Sequence, residues 1–141
     1  MATTRTAAAH WEGSLFEGAG KVSLQSSGLG SYDVTWAART KEPGGKTSPE
    51  ELIAAAHSAC FNMAFSKALN DAGSPPQALD TEADVDFVAG EGITGIRLTV
   101  RGRVEGMDNE AFAKAAEGAK DGCPVSQALK AVPITVDAAL A

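Results

Sequence analysis

A chain of 141 residues and 14.4 kDa is long enough to bury a core without help from metal or disulfides. Its formal charge of −6 and sequence pI near 4.8, with the 12 Lys and Arg residues scattered, argue against nucleic acid as a partner, because phosphate binding needs clustered cations. An apolar share of 44% and a charged share of 21% suit a globular chain and not a disordered or fibrous one.

The start, Met1 to Trp11, lacks the long apolar core of a signal peptide. This predicts a cytoplasmic protein. Three short strands are expected, from about Thr3 to Trp11, Lys21 to Gln25 and Tyr32 to Ala37. Glycine turns at 18–20 and 28–30 separate them and suggest an antiparallel meander. A loop at 41–46 follows, and Ser48-Pro49-Glu50-Glu51 then places a capping serine, a proline at the first helical position and acids in the first turn. The helix so started runs to about Ala72 and stops at Gly73.

From Leu52 to Ser66 this helix carries no charged side chain apart from the titratable His57, and it is expected to be buried on nearly all sides. Its apolar stretch is shorter than the roughly 20 residues of a membrane span, so no membrane role is read here. A single subunit of this size cannot wrap such a helix completely, which points to a partner subunit. Thr81 to Val88 and Ile96 to Val104 alternate apolar and charged residues, acids on the first and arginines on the second, as in a hairpin with a charge ladder outside. Asp108 caps a helix to about Lys120, Pro124 to Ala131 is a second short helix, and Val132 to Leu140 is a last strand. The order βββ-α-ββ-α-α-β describes one α+β domain over residues 1–141.

Two cysteines are the chemical candidates. Cys123 stands between Gly122 and Pro124, at the N-cap of the last short helix, where free backbone N–H groups would favour a thiolate. Cys60 is twelve residues beyond Ser48, roughly 18 Å along its helix. That dipole cannot reach it, so a cation must; Arg39, Lys41 and Lys46 are the candidates. The plain alternative is a pair of small core residues. His57 lies one turn before Cys60 and reads as a base for it, half a metal site, or a hydrogen-bonded core histidine. A zinc site would have to recruit Cys123 and His10 from far along the chain, and no C-x-x-C clustering supports one. Trp11, Trp36, Phe16, Phe61 and Phe65 are expected in the core or lining an apolar pocket.

The run from Ser48 to Phe61, SPEELIAAAHSACF, together with Gly122-Cys123-Pro124-Val125-Ser126, resembles the OsmC/Ohr family of organic hydroperoxide reductases, on its OsmC branch. The resemblance extends from Ala9-His10-Trp11-Glu12-Gly13 to the last strand. It implies an intertwined α+β homodimer, antiparallel sheets around long central helices, with two active sites at the subunit interface. It implies that Cys60 attacks a hydroperoxide and becomes a sulfenic acid, that Cys123 resolves it as a disulfide, and that a dithiol or lipoylated protein reduces that disulfide. Arg39 matches the activating arginine by its place before the loop, and Glu50 matches its carboxylate partner. No cofactor or metal is implied, and the setting would be oxidative or osmotic stress.

Glu50 and Cys60 are ten residues apart on one helix, about 15 Å, too far for one guanidinium to touch both. Glu50 and Arg39 are therefore expected to reach Cys60 from the other chain, unless the helix kinks. Phe61, Phe65 and a tryptophan would give the pocket an apolar wall. Two other readings stay open: a cysteine-dependent acyl-thioester hydrolase built on Cys60 and His57, in which Cys123 is dispensable, and a non-catalytic binder of apolar ligands, in which both cysteines are.

Overall fold

The computed structural model describes Met1–Ala141, and the chain divides into two compact units, Met1–Leu52 and Ile53–Ala141. In the first unit β1 (Ala8–Glu12), β2 (Ala19–Ser23) and β3 (Ser31–Val34) form the expected antiparallel meander in the order β1-β2-β3. Trp11 lies opposite Gly20, where a Cβ would come 2.6 Å from the Trp11 ring; only glycine lets that ring cross the neighbouring strand. β3 ends sooner than its alternation suggests, because the Thr35 hydroxyl accepts from the Ala38 N–H at 3.1 Å and caps a short helix, α1 (Trp36–Thr40). This helix, absent from the expected element order, carries Arg39.

The long helix α2 spans Pro49–Asp71 without interruption. Ser48 Oγ accepts from the Glu51 N–H at 3.1 Å, the expected cap, whereas the Glu51 carboxylate takes the Thr47 hydroxyl at 2.5 Å. At the other end Gly73 is at φ 85°, Gly73 N–H donates to Asn70 O and Ser74 N–H to Leu69 O, a Schellman stop that requires the left-handed glycine. No helix is long and apolar enough to cross a membrane.

In the second unit β4 (Ala78–Val88) and β5 (Gly92–Arg103) make the expected hairpin. Arg97 pairs with Asp86, and Arg101 reaches Asp137 at 3.6 Å, so the arginines serve the outer face. α3 (Asn109–Gly122), capped by Asp108, and α4 (Pro124–Ala128), capped by Cys123, lead to β6 (Ile134–Leu140). β6 lies parallel to β5, so this sheet, ordered β4-β5-β6, is mixed and not wholly antiparallel. The two helices act as the long crossover that a parallel pair needs. The core of the unit joins Phe61, Phe65 and Leu69 of α2 to Leu98 and Val100 of β5 and Phe112, Ala116 and Ala119 of α3. Phe65 centres it, 5.5 Å from the Phe61 ring and 5.0 Å from Phe112.

α2 is not buried all round within one chain. Its His57, Phe61, Phe65 and Leu69 row is sealed, while Ala55, Ala56, Ala59 and Met63 are open, Met63 at 73%. In the first unit only Ala38 and Glu50 are buried; Phe16 is 75% and Trp11 40% exposed. The expectation that the tryptophans and Phe16 fill a core therefore fails for Trp11 and Phe16.

Candidate active site

The second unit brings the two cysteines together. No disulfide joins them; Cys123 is fully buried, Cys60 half-buried. They face each other closely enough for each thiol to alter the ionisation of the other. Cys60 enters from α2 and Cys123 from the α3–α4 junction, whose backbone bends there (φ −67°, ψ 123°) because Pro124 forbids a continuous helix.

Their settings differ. Burial pushes the Cys60 thiol up; the Val125 N–H pulls it back, and the Cys123 neighbour pushes it up again, leaving it above its ordinary value. Burial also pushes Cys123 up, but the Ser126 N–H, the Cys60 thiol, the Ser126 hydroxyl and the Val125 N–H outweigh it, so that thiol titrates low. Cys123 makes no cap bond of ordinary geometry, so the N-cap setting acts through this cluster of donors.

Cys60 opens onto a groove of about 550 Å³, floored by Met63, Ala64, Ala68, Ala119 and Pro124, with Lys67 and Asp71 also lining it. Phe61 and Phe65 are not in that lining; both are sealed in the core, a correction to the expected aromatic wall. At i and i+1 from Cys60, Phe61 faces inward as Cys60 faces out. Cys60 lines this groove and the buried Cys123 does not.

His57 does not serve Cys60. Its Nε2 sits 2.7 Å from Ser126 Oγ, its Nδ1 is buried without a partner, and burial pushes its pKa down. Ser126 and Val125 are the residues whose place at the site sequence reasoning missed; both stood in the Gly122–Ser126 motif, at the helical positions an N-cap sulfur faces.

In the first unit Arg39 and Glu50 form a two-pronged ion pair: Arg39 Nε to Glu50 Oε1 at 2.9 Å and Nη2 to Oε2 at 2.9 Å. Glu50 is 7% exposed, and the Arg39 guanidinium also lies 5.9 Å from the Trp36 ring. Lys41 and Lys46 stay exposed on the loop, and His10 pairs with Glu12 at 3.0 Å.

Two adjoining cysteines, one open to a groove and one sealed beneath it, are the arrangement that a dithiol redox protein needs. Residues 42–137 match the family model for OsmC-like proteins. The chain is 46% identical over 132 residues, 92% of its length and 91% of the relative's, to the peroxiredoxin OsmC of Escherichia coli K12. Its fold matches crystal structures of an organic hydroperoxide resistance protein OsmC from Legionella pneumophila (TM-score 0.72, 22% identity, 98% and 99% coverage) and of OhrB from Bacillus subtilis (TM-score 0.71, 22% identity, 96% and 98%). The chain belongs to the OsmC-like family.

Proposed function

We propose that this protein is a thiol-dependent peroxidase that reduces organic hydroperoxides to alcohols in defence against oxidative and osmotic stress, acting in the cytoplasm. The observation that carries the reading is the adjoining pair Cys60 and Cys123, with only Cys60 half-open and lining a groove. Membership of the family of the E. coli peroxiredoxin supports it.

Cys60, as thiolate, attacks the terminal peroxide oxygen. The O–O bond breaks, sulfur keeps the OH as a sulfenic acid, and the alkoxide takes a proton and leaves as the alcohol. Cys123 then closes the disulfide, and an external dithiol or lipoylated protein supplies two electrons and two protons to reopen it. The apolar floor of Met63, Ala64, Ala68 and Ala119 favours a substrate with an organic group.

Cys60 needs a cation, since burial raises it and the groups that set its ionisation, the Val125 N–H and Cys123, carry no positive charge. Arg39, oriented by Glu50, is that cation and also binds the departing alkoxide. Glu50 and Cys60 stand ten residues apart on an unbroken α2, about 15 Å. The functional unit is accordingly a homodimer in which the Arg39–Glu50 pair of one chain serves Cys60 of the other. The thioester reading loses its dyad, since the His57 Nε2 is engaged by Ser126.

The test is a thiol count on reduced protein before and after one equivalent of cumene hydroperoxide, with mass spectrometry of the peptides. Both thiols should disappear into a Cys60–Cys123 link within one chain, faster than with hydrogen peroxide. Survival of both thiols would end the peroxidase reading.

A further inference from the structure

His57 and Ser126 are the two buried polar side chains of the second unit, and the peroxide step uses neither. His57 on α2 places Nε2 2.7 Å from Ser126 Oγ on α4, while its Nδ1 has no partner. A buried N–H without an acceptor is rarer in proteins than a buried acceptor without a donor. The single ring proton of the neutral imidazole therefore belongs on Nε2, where Ser126 Oγ accepts it. With that oxygen accepting, the serine has its own hydroxyl proton to give, and the Cys123 sulfur, three residues earlier at the N-cap of α4, is the acceptor whose thiolate that hydroxyl favours. Ser126 is also the third residue of α4, whose N–H is the one an N-cap side chain ordinarily faces.

We propose that His57 and Ser126 form a donor relay aimed at the Cys123 sulfur, which readies the resolving thiol for the second half of the cycle. The proposal rests on the peroxidase reading above and deepens it. In that half the Cys123 thiolate attacks the Cys60 sulfenic sulfur. The S–S bond forms, the S–O bond breaks, and the oxygen leaves as hydroxide, which takes up the proton Cys123 had released and departs as water. No further oxidant is needed, because the hydroperoxide has already oxidised Cys60. A sulfenic acid that waits is exposed to irreversible over-oxidation, so fast resolution protects Cys60.

Ser126 acts on the Cys123 thiol through its hydroxyl and His57 acts through Ser126, so both are positioning residues. The other groups facing Cys123 are the Cys60 thiol from α2 and the Val125 N–H of α4. Lys120, Asp121 and Lys130 share a surface groove with Ser126. Lys120 is engaged by Glu117 at 2.9 Å and Asp121 at 3.8 Å.

Two measurements test it. In a Cys60→Ser background Cys123 is the lone thiol, and its ultraviolet thiolate absorbance can be titrated without any peroxide. Ser126→Ala and His57→Leu should each raise the midpoint by about one pH unit, a tenfold loss of thiolate at a fixed lower pH. His57→Gln, whose side-chain amide still offers a donor to Ser126, should restore most of it. If His57→Leu does not fold, His57→Asn, too short to donate to Ser126, gives the same reading. In the protein with both cysteines, Ser126→Ala is treated with one equivalent of cumene hydroperoxide, and the sulfenic acid and the disulfide are followed separately. Disulfide closure should slow by about tenfold, so that dimedone traps the sulfenic acid. Unchanged midpoints, or unchanged closure, overturn the relay. Failure of the peroxidase reading is a separate outcome: wild-type Cys60 would then not be oxidised at all, while the titration would still report on Cys123.

Discussion

Arg39 is held by both oxygens of Glu50 at 2.9 Å each, and this two-pronged geometry is what makes the residue an arginine and not merely a positive charge. A lysine at the same place keeps the charge but grips one oxygen with a mobile ammonium. If the proposed activation of Cys60 depends on a guanidinium held at a fixed angle, Arg39→Lys should lower kcat/KM for cumene hydroperoxide by about ten- to a hundredfold, roughly 1.4–2.7 kcal/mol of transition-state stabilisation. Stopped-flow oxidation of reduced enzyme measures this directly. A rate equal to wild type would remove Arg39 from the mechanism and leave the Cys60 thiol, pushed up by burial, in need of another cation. That the two cysteines adjoin was legible because their motifs are specific. The His57–Ser126 contact was not, since it joins residues 69 positions apart and no local spacing announces it.

Among the elements, β5 is central to its sheet and presses against both helices of the core, so its own backbone is part of the packing. Gly102 shows how tightly. A Cβ there would stand 2.6 Å from the tip of the Phe112 ring and 3.0 Å from a Leu79 methyl, both in or against the core. Phe112 is fully buried and packs at a tilt against Phe65, so the ring has nowhere to retreat. Gly102→Ala should therefore destabilise the protein by about 1–3 kcal/mol, read as a shift of the urea midpoint with little change in slope. No shift would mean that the core yields more easily than its packing indicates. Most elements could be read from caps and periodicity: Ser48, Asp108 and Gly73 mark helix ends wherever they occur. α1 escaped because Thr35 is at once a strand former and a helix cap, and the alternation of Tyr32, Val34 and Trp36 concealed the change. The direction of β6 escaped for another reason: a strand's pattern is the same whichever way it pairs, and only the crossover through α3 and α4 decides.

For the whole molecule, each unit leaves apolar surface that one chain does not cover: Ala55, Ala56, Ala59 and Met63 on α2, and Leu15, Phe16 and Leu29 in the first unit. A three-stranded sheet whose unit buries only Ala38 and Glu50 has too little core to be stable unaided, which is what an intertwined dimer would remedy. The proposed dimer makes a sharper demand than stability, since in it each site would take Cys60 from one chain and the Arg39–Glu50 pair from its partner. Arg39→Ala and Cys60→Ser proteins should each be inactive alone. Unfolded together and refolded at equal concentration, they should recover about a quarter of wild-type activity, because half the dimers are mixed and each mixed dimer holds one complete site of two. If arginine and cysteine act within one chain, every site in the mixture lacks one of them and no activity returns. The recovered fraction thus separates a shared site from two self-contained ones, even though both arrangements are dimers.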